Sequence, residues 1–368
     1  MNFTTTKPPV KYNQQRSLKR ALNLHIALIV LAVASIALRA VSPVAADATV
    51  TNLDIAFKAF LMMSVGIVTS VMVEIFYALS EGTINKFESY DRWIDPINTG
   101  LLIALLLPST TPIYALVVSV IVGVYAGKLV FGGKGYYIFN PVLIAVLFAT
   151  LTFGGQMSVE GTPLLLMKDA IFSGSVNFDL TRLLIGNYTA VAIGSTSVLL
   201  LLVAFIYLTL TKVIDLRISL TYLLTIFIVS LGIGLINFTT QATFVYTFVN
   251  MITGLTMFGA VFLVGESVTS PTSRETKIIY AVIVGILVML IRVLSAEPEG
   301  VVFAILFGNM LTPFMNRTVK RSDKKGLIKT IAFSALAVLI ASGAIGFIVQ
   351  SRLIDNLNET AQLLGGIL

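Results

Sequence analysis

Pro108-Ser-Thr, an apolar run, Gly133-Lys-Gly and Phe139-Asn-Pro-Val-Leu-Ile-Ala follow one another between Thr99 and Leu147. Between Thr253 and Leu311 the chain reads Ser270-Pro-Thr-Ser, an apolar run, Pro298-Glu-Gly and Phe303-Ala-Ile-Leu-Phe-Gly-Asn. The interval from Pro108 to Phe139 is 31 residues, and from Pro271 to Phe303 it is 32. Two stretches of such similar order and spacing make an internal repeat. A membrane protein built from two related halves places its site where they meet, near the bilayer midplane.

Composition says that a membrane is the setting. Of 368 residues, 57% are hydrophobic and 12% charged, against about 25% charged in a soluble domain. The apolar residues come in runs of about 20, the length that crosses a hydrocarbon core of roughly 30 Å. The absence of cysteine excludes disulfides, thiolate metal sites and cysteine-held iron–sulfur clusters within the chain. A single histidine cannot supply a bis-histidine haem, and no other metal site is expected. The net charge of +7 lies mostly in short loops, so it reads as an orientation signal and not as a nucleic-acid surface.

Eleven spans are expected, near 21–44, 55–80, 98–108, 111–131, 138–153, 190–212, 218–237, 247–265, 276–295, 300–316 and 328–350. The third is short and ends at Pro108; the eighth is interrupted by Gly254, Gly259 and Gly265. Short or glycine-interrupted spans in matching places point to a transporter-like site. The expected fold is an all-α polytopic membrane protein with two inverted five-helix repeats, 21–153 and 190–316. Residues 1–20 form a cytoplasmic segment and 154–189 an extracytoplasmic loop. Residues 317–368 supply a basic cytoplasmic loop, one additional helix and a short outer tail. With the N-terminus in the cytoplasm and the C-terminus outside, nineteen of the 25 lysines and arginines fall on the inner side. The first span reads as a retained anchor and not as a cleaved signal.

Several motifs resemble the RnfD/NqrB family of membrane subunits in ion-translocating electron-transfer complexes. They are Thr99-Gly-Leu-Leu-Ile-Ala-Leu-Leu-Leu-Pro108, Gly127-Lys, Phe131-Gly-Gly-Lys-Gly, Phe139-Asn-Pro-Val, Gly186-Asn, Gly194-Ser-Thr-Ser, Val268-Thr-Ser-Pro and Glu299-Gly-Val-Val-Phe-Ala-Ile-Leu. The resemblance covers roughly residues 20–316. It implies ten helices in inverted halves, a flavin mononucleotide (FMN) on an outer-loop threonine, and a second, non-covalent flavin such as riboflavin. It also implies membrane and peripheral partner subunits, and coupling to sodium or proton movement.

The match is not complete. The attachment motif resembles Asp-x-x-Ser/Thr-Gly-Ala-Thr followed by Pro-Leu, whereas this chain reads Gly155-Gln-Met-Ser-Val-Glu-Gly-Thr162-Pro-Leu. The threonine, the Pro-Leu and the outer-loop position agree; the acidic residue, the serine register and the Gly-Ala pair do not. Thr162 is therefore either the FMN-bearing residue or the cap of a short loop helix. The family's Thr-Asp-Pro-Val-Thr-Ser-Pro appears as Gly265-Glu-Ser-Val-Thr-Ser-Pro271, with the acid one methylene longer.

Individual residues carry meaning of their own. Glu74 lies inside the second span, where an ionisable group costs at least ~2.5 kcal/mol and is a functional candidate by default. Proton relay, cation ligand, arginine partner and neutral interhelical glue are its open roles. Glu266 joins it as a candidate for an ion or proton path. Gly132, Gly133 and Gly135 with Asn140 offer close backbone approach and free N–H donors at a helix start. Asn187, Ser195, Thr196, Thr269 and Thr272 are polar groups suited to a flavin edge or to holding helices together. His25 reads as interfacial. The function expected is a flavin-carrying subunit of an electron-transport complex in the cytoplasmic membrane. The alternatives are a urea- or ammonium-like channel and a flavin-free structural anchor.

Overall fold

The computed structural model describes residues 14–41, 51–82, 90–157, 184–185, 192–294, 300–319 and 324–365. The helices, in order, are α1 (Gln14–Val41), α2 (Asn52–Ser80), α3 (Tyr90–Leu106), α4 (Ile113–Val124) and α5 (Pro141–Phe153), then α6 (Val198–Leu210), α7 (Leu216–Asn237) and α8 (Thr240–Ile252), and finally α9 (Leu255–Phe258), α10 (Arg274–Leu294), α11 (Val301–Thr318) and α12 (Lys324–Gly365). Helix α4 runs on as a π-helical turn over Tyr125–Leu129, and α9 as another over Gly259–Leu263. Among the described residues the only extended pairing is a single antiparallel bridge between Pro108 and Ala192.

The starts of the helices are written in local chemistry. Thr51 and Asp54 close a capping box at α2, with the Thr51 hydroxyl accepting from Asp54 N–H at 3.2 Å and Asp54 Oδ2 accepting from Thr51 N–H at 3.1 Å. Asn140 caps α5 by accepting from Val142 N–H at 2.9 Å, and Pro141 occupies the first helical position, where its missing N–H costs nothing. Asp215 caps α7 through Arg217 N–H at 3.1 Å.

The expected spans all fall on helices, with different lengths. Among the described residues five helices are long and apolar enough to cross a membrane: Leu18–Val41, Asn52–Ser80, Leu216–Asn237, Arg274–Leu294 and Lys325–Arg352. The pair Thr240–Ile252 and Leu255–Leu263, bent by 49°, is together long and apolar enough to form a broken span or a re-entrant loop. Four shorter apolar helices add Trp93–Leu106, Ile113–Leu129, Pro141–Gln156 and Val198–Leu210. Of the described residues in the sixth expected span, 190–212, the α-helix begins at Val198, after a separate 3-10 turn over residues 193–195. At about 1.5 Å per residue, the 13-residue Val198–Leu210 covers roughly 20 Å, so it does not span the core alone. The eleventh expected span is longer than its apolar core, extending over Lys324–Gly365. Together these helices make a multi-pass membrane protein.

Helix packing follows a similar order in α1–α5 and in α6–α11. Helix α2 packs on α3 and α4 as α7 packs on α8 and α10, and α4 packs on α5 as α10 packs on α11. Between the groups, first meets first (α1 on α6) and fifth meets fifth (α5 on α11). Helix α12 lies outside this scheme, along α7 and α10. Glycines allow the closest approaches. A Cβ on Gly100 of α3 would stand 2.3 Å from the Gly66 carbonyl oxygen of α2. Gly123 and Gly127, four residues apart on α4, let the start of α5 press against that helix, and a Cβ on Gly123 would meet the Pro141 carbonyl oxygen at 2.7 Å. Gly254, with φ +59° and ψ −147°, makes the break between α8 and α9. That backbone region is open in practice only to glycine.

Candidate functional site

The up-and-down course of the chain brings the end of α2, the start of α3, the end of α4 and the loop before α5 to one end of the bundle. The ionisable groups gather there. Lys128, next to last in the π-helical turn and 2% exposed, places its ammonium between the carboxylates of Glu74 on α2 and Asp95 on α3. Lys134, in the glycine loop, reaches the other oxygen of Asp95 at 2.7 Å. The cluster is neutral on a formal count, two carboxylates against two ammonium groups. Charges withdrawn from water persist only when paired, and removing one partner of a buried pair costs about 3–5 kcal/mol. Lys134 is 44% exposed at its side chain, so its bond contributes far less.

The loop carries this cluster to the other half. Tyr137 donates its hydroxyl to Glu266 Oε1 at 3.0 Å. Glu266 also accepts from Val268 N–H at 3.2 Å, from Thr269 N–H at 3.1 Å and from the Thr269 hydroxyl at 2.7 Å. That carboxylate therefore ties the turn after α9 together and links it to the α4–α5 loop.

At the opposite end lie two buried arginines. Arg39 of α1, 0% exposed, donates to the Thr196 hydroxyl at 3.1 Å and to the Ala192 carbonyl at 3.5 Å. Ile193 N–H donates to the Leu107 carbonyl at 3.0 Å, so the turn 193–195 seals the end of α3. Arg292 of α10 donates to the Asn250 carbonyl at 2.8 Å, to the Thr253 carbonyl at 3.4 Å and to the Thr256 hydroxyl. A cation against the last carbonyls of α8 also complements the negative end of that helix's dipole.

The expected site residues divide into three groups. Glu74 and the loop holding Gly133 and Gly135 belong to the cluster at the first end, and Glu266 with Thr269 adjoins them through Tyr137. Thr196 stands at the other end with Arg39, and Thr272 is near α11, its N–H donating to Asn316 Oδ1 at 3.2 Å. Thr162 and Asn187 lie outside the described residues. Three of the expected polar residues have partners within the protein: Asn140 caps α5, Thr269 donates to Glu266, and Thr196 donates to the Ile193 carbonyl at 2.7 Å. Gly132, Gly133 and Gly135 all have positive φ, at 104°, 87° and 96°. A Cβ on Gly133 or Gly135 would meet nothing within 4 Å. Turn geometry by itself favours glycine at all three positions, and the space beside Gly133 and Gly135 is open.

Sequence reasoning missed Lys128, Asp95, Tyr137, Arg39 and Arg292 as site residues. Lys128, Arg39 and Arg292 counted as orientation charges near span ends, yet all three are buried. Their position inside apolar runs, one or two residues short of the helix end, was the available signal. His25, expected at an interface, is half-buried and shares a 2.7 Å hydrogen bond with Asn98 Oδ1.

A broken helix, a buried ion-pair cluster at one end and two buried arginines at the other mark a multi-pass membrane protein that holds ionisable groups among its helices. The chain belongs to the NQR2, RnfD, RnfE family, whose sequence profile matches residues 5–325. It is 32% identical over 275 residues to a subunit of the Na(+)-translocating ferredoxin:NAD(+) oxidoreductase complex of Acetobacterium woodii, a match covering 71% of this chain and 81% of that one. It is 30% identical over 242 residues to a subunit of the Na(+)-translocating NADH-quinone reductase of Ectopseudomonas mendocina, covering 62% of this chain and 60% of that one. It is also 30% identical over 221 residues to a subunit of the ion-translocating oxidoreductase complex of Methanosarcina acetivorans, covering 60% and 68%.

Proposed function

We propose that this chain is a membrane component of an ion-translocating electron-transport complex, passing electrons through flavin between partner subunits. The observation that carries the reading is the family match over residues 5–325, together with relatives whose names describe such subunits. Electron input and output come from partners, since the chain has no cysteine to hold an iron–sulfur cluster. Sodium or proton movement is the coupled process, with Glu74 and Glu266 as the acidic groups nearest its path. The halves are inverted, with the N-terminus in the cytoplasm and the C-terminus outside. The clustering of Glu74, Asp95, Lys128 and Lys134 then falls at the inner face, and Arg39 and Arg292 at the outer.

Thr162 is the FMN attachment residue in this reading, and a non-covalent flavin such as riboflavin is a second passenger. Bound flavin supplies one- and two-electron chemistry; the chain holds it and tunes its potential. The test is expression with the partner subunits in a host that has a flavin transferase. The denatured chain should fluoresce in a gel under ultraviolet light, and Thr162→Ala should abolish the band. A band that survives this substitution moves the attachment site. A folded complex with no covalent or extractable flavin refutes the flavin reading and leaves a structural component.

A further inference from the structure

Two buried cations occupy the same place in the two halves. Lys128 lies eleven residues before Phe139, and Arg292 eleven before Phe303. Both sit in the last turn of their helical runs, 2% and 5% exposed. Each reaches the third helix of its own half near a matching landmark. Thr99 and Thr253 both open a Thr-Gly-Leu sequence, and each donates its hydroxyl to the carbonyl four residues back, Asp95 at 2.9 Å and Val249 at 2.5 Å. Lys128 meets the side chain of that same Asp95, and Glu74 beside it. Arg292 meets the carbonyls of Thr253 itself and of Asn250. The course of the helices puts one cation at each end of the bundle.

Both places are ones that attract a cation. Two carboxylates left together in a buried site need a positive charge or a proton between them. The end of a broken helix presents carbonyls at the negative pole of its dipole, and in broken-helix transporters such carbonyls coordinate sodium. Here a side chain fills each place. We propose that Lys128 and Arg292 are equivalent tethered cations, each occupying the cation-attractive pocket of its half and denying it to free sodium or protons. The occupancy rests on geometry and not on the proposed ion-translocating role.

The test uses the purified full chain in detergent and reads no flavin and no electron transfer, so its failure is separable from failure of the functional reading. Thermal midpoints are measured in sodium chloride and in choline chloride at equal ionic strength. The wild type should give the same midpoint in both. Lys128→Gln should be lower in choline and recover progressively with sodium or with mild acid, because a ligand that binds only the folded state raises stability with the logarithm of its concentration. Arg292→Gln should gain a sodium response as well. Lys128→Arg keeps the charge and should stay indifferent to sodium, and so should the triple Lys128→Gln, Glu74→Gln, Asp95→Asn, which leaves no carboxylate in the pocket. A sodium response in the wild type overturns the proposal. So does a folded Lys128→Gln or Arg292→Gln that responds to neither sodium nor acid. A Lys128→Gln chain that folds in neither salt while the triple variant folds overturns it too, since free cations then cannot replace the ammonium.

Discussion

Gly100→Ala adds a single methyl group where two backbones touch. The new Cβ would lie 2.3 Å from the Gly66 oxygen, 2.7 Å from its carbonyl carbon and 2.9 Å from the Ile67 Cα. All three are main-chain atoms of α2, so no side chain can turn aside. Restoring ordinary contact near 3.4 Å requires α2 and α3 to separate by about 1 Å, a gap that forfeits a quarter to a half of each dispersion contact along the seam. Overpacking of this kind costs typically 1–3 kcal/mol. The same substitution at Gly343 of α12 is the control, because a Cβ there meets nothing within 4 Å. In a helix it should be neutral or stabilising by about 0.4–1 kcal/mol. The assay is thermal unfolding in detergent, with sodium and choline compared for both variants. The separation should also loosen the Glu74–Lys128–Asp95 contact, whose carboxylates sit on the two helices being parted. Equal midpoints for Gly100→Ala and Gly343→Ala would refute the close-approach argument.

Gly254→Ala should destabilise by about 1–3 kcal/mol, since alanine does not tolerate φ +59° with ψ −147°; a thermal midpoint equal to wild type would mean the break does not need that backbone conformation. Asp215→Ala should cost about 1 kcal/mol from the lost cap alone. Burial pushes the Asp215 carboxyl up, but the hydrogen bond from Lys277 at 2.6 Å, the Arg217 N–H and the charges of both residues outweigh it and hold the carboxyl below its ordinary value. A depressed folded value means the stabilisation is complete above the unfolded carboxylate range, about pH 4, and is lost as pH falls through the folded value. The wild type should therefore lose more stability than Asp215→Ala on acidification, and parallel curves would contradict this. Glu74→Gln leaves Lys128 with Asp95 alone, so assembly should weaken and coupled ion uptake in vesicles should fall at equal protein levels; full coupled activity would remove Glu74 from the ion path.

The helices were legible because membrane-crossing runs announce themselves by length and by exclusion of charge. Their interruptions were legible too: Gly254 was visible within the eighth span, and the chain bends there. The glycines of the 132–135 loop were visible, but their purpose was not, since positive φ and close ligand approach select the same residue. The buried cations were hidden for a different reason. A lysine or arginine near a span end reads as a loop charge, because its long stem can carry the head to water. Whether it turns inward depends on partners far along the chain, and Glu74 stands 54 residues from Lys128. Glu74 itself was evident because a carboxylate in mid-span has no such escape. The close pairs Gly66–Gly100 and Gly123–Pro141 needed the fold, since a glycine alone does not name the backbone it will meet.

Helix α12 begins at Lys324, where the family match ends at residue 325, and lies along α7 and α10. Its seat there is specific: a Cβ on Gly232 of α7 would overlap the Ser342 hydroxyl, and Asn237 donates to the Gly346 carbonyl at 3.1 Å. The outward side presents Leu336, Leu339, Ile340 and Phe347, all well exposed. In architectural terms α12 is an outer wall built over one flank of the family's helices. A neighbouring protein approaching from that flank meets residues that the family pattern does not specify.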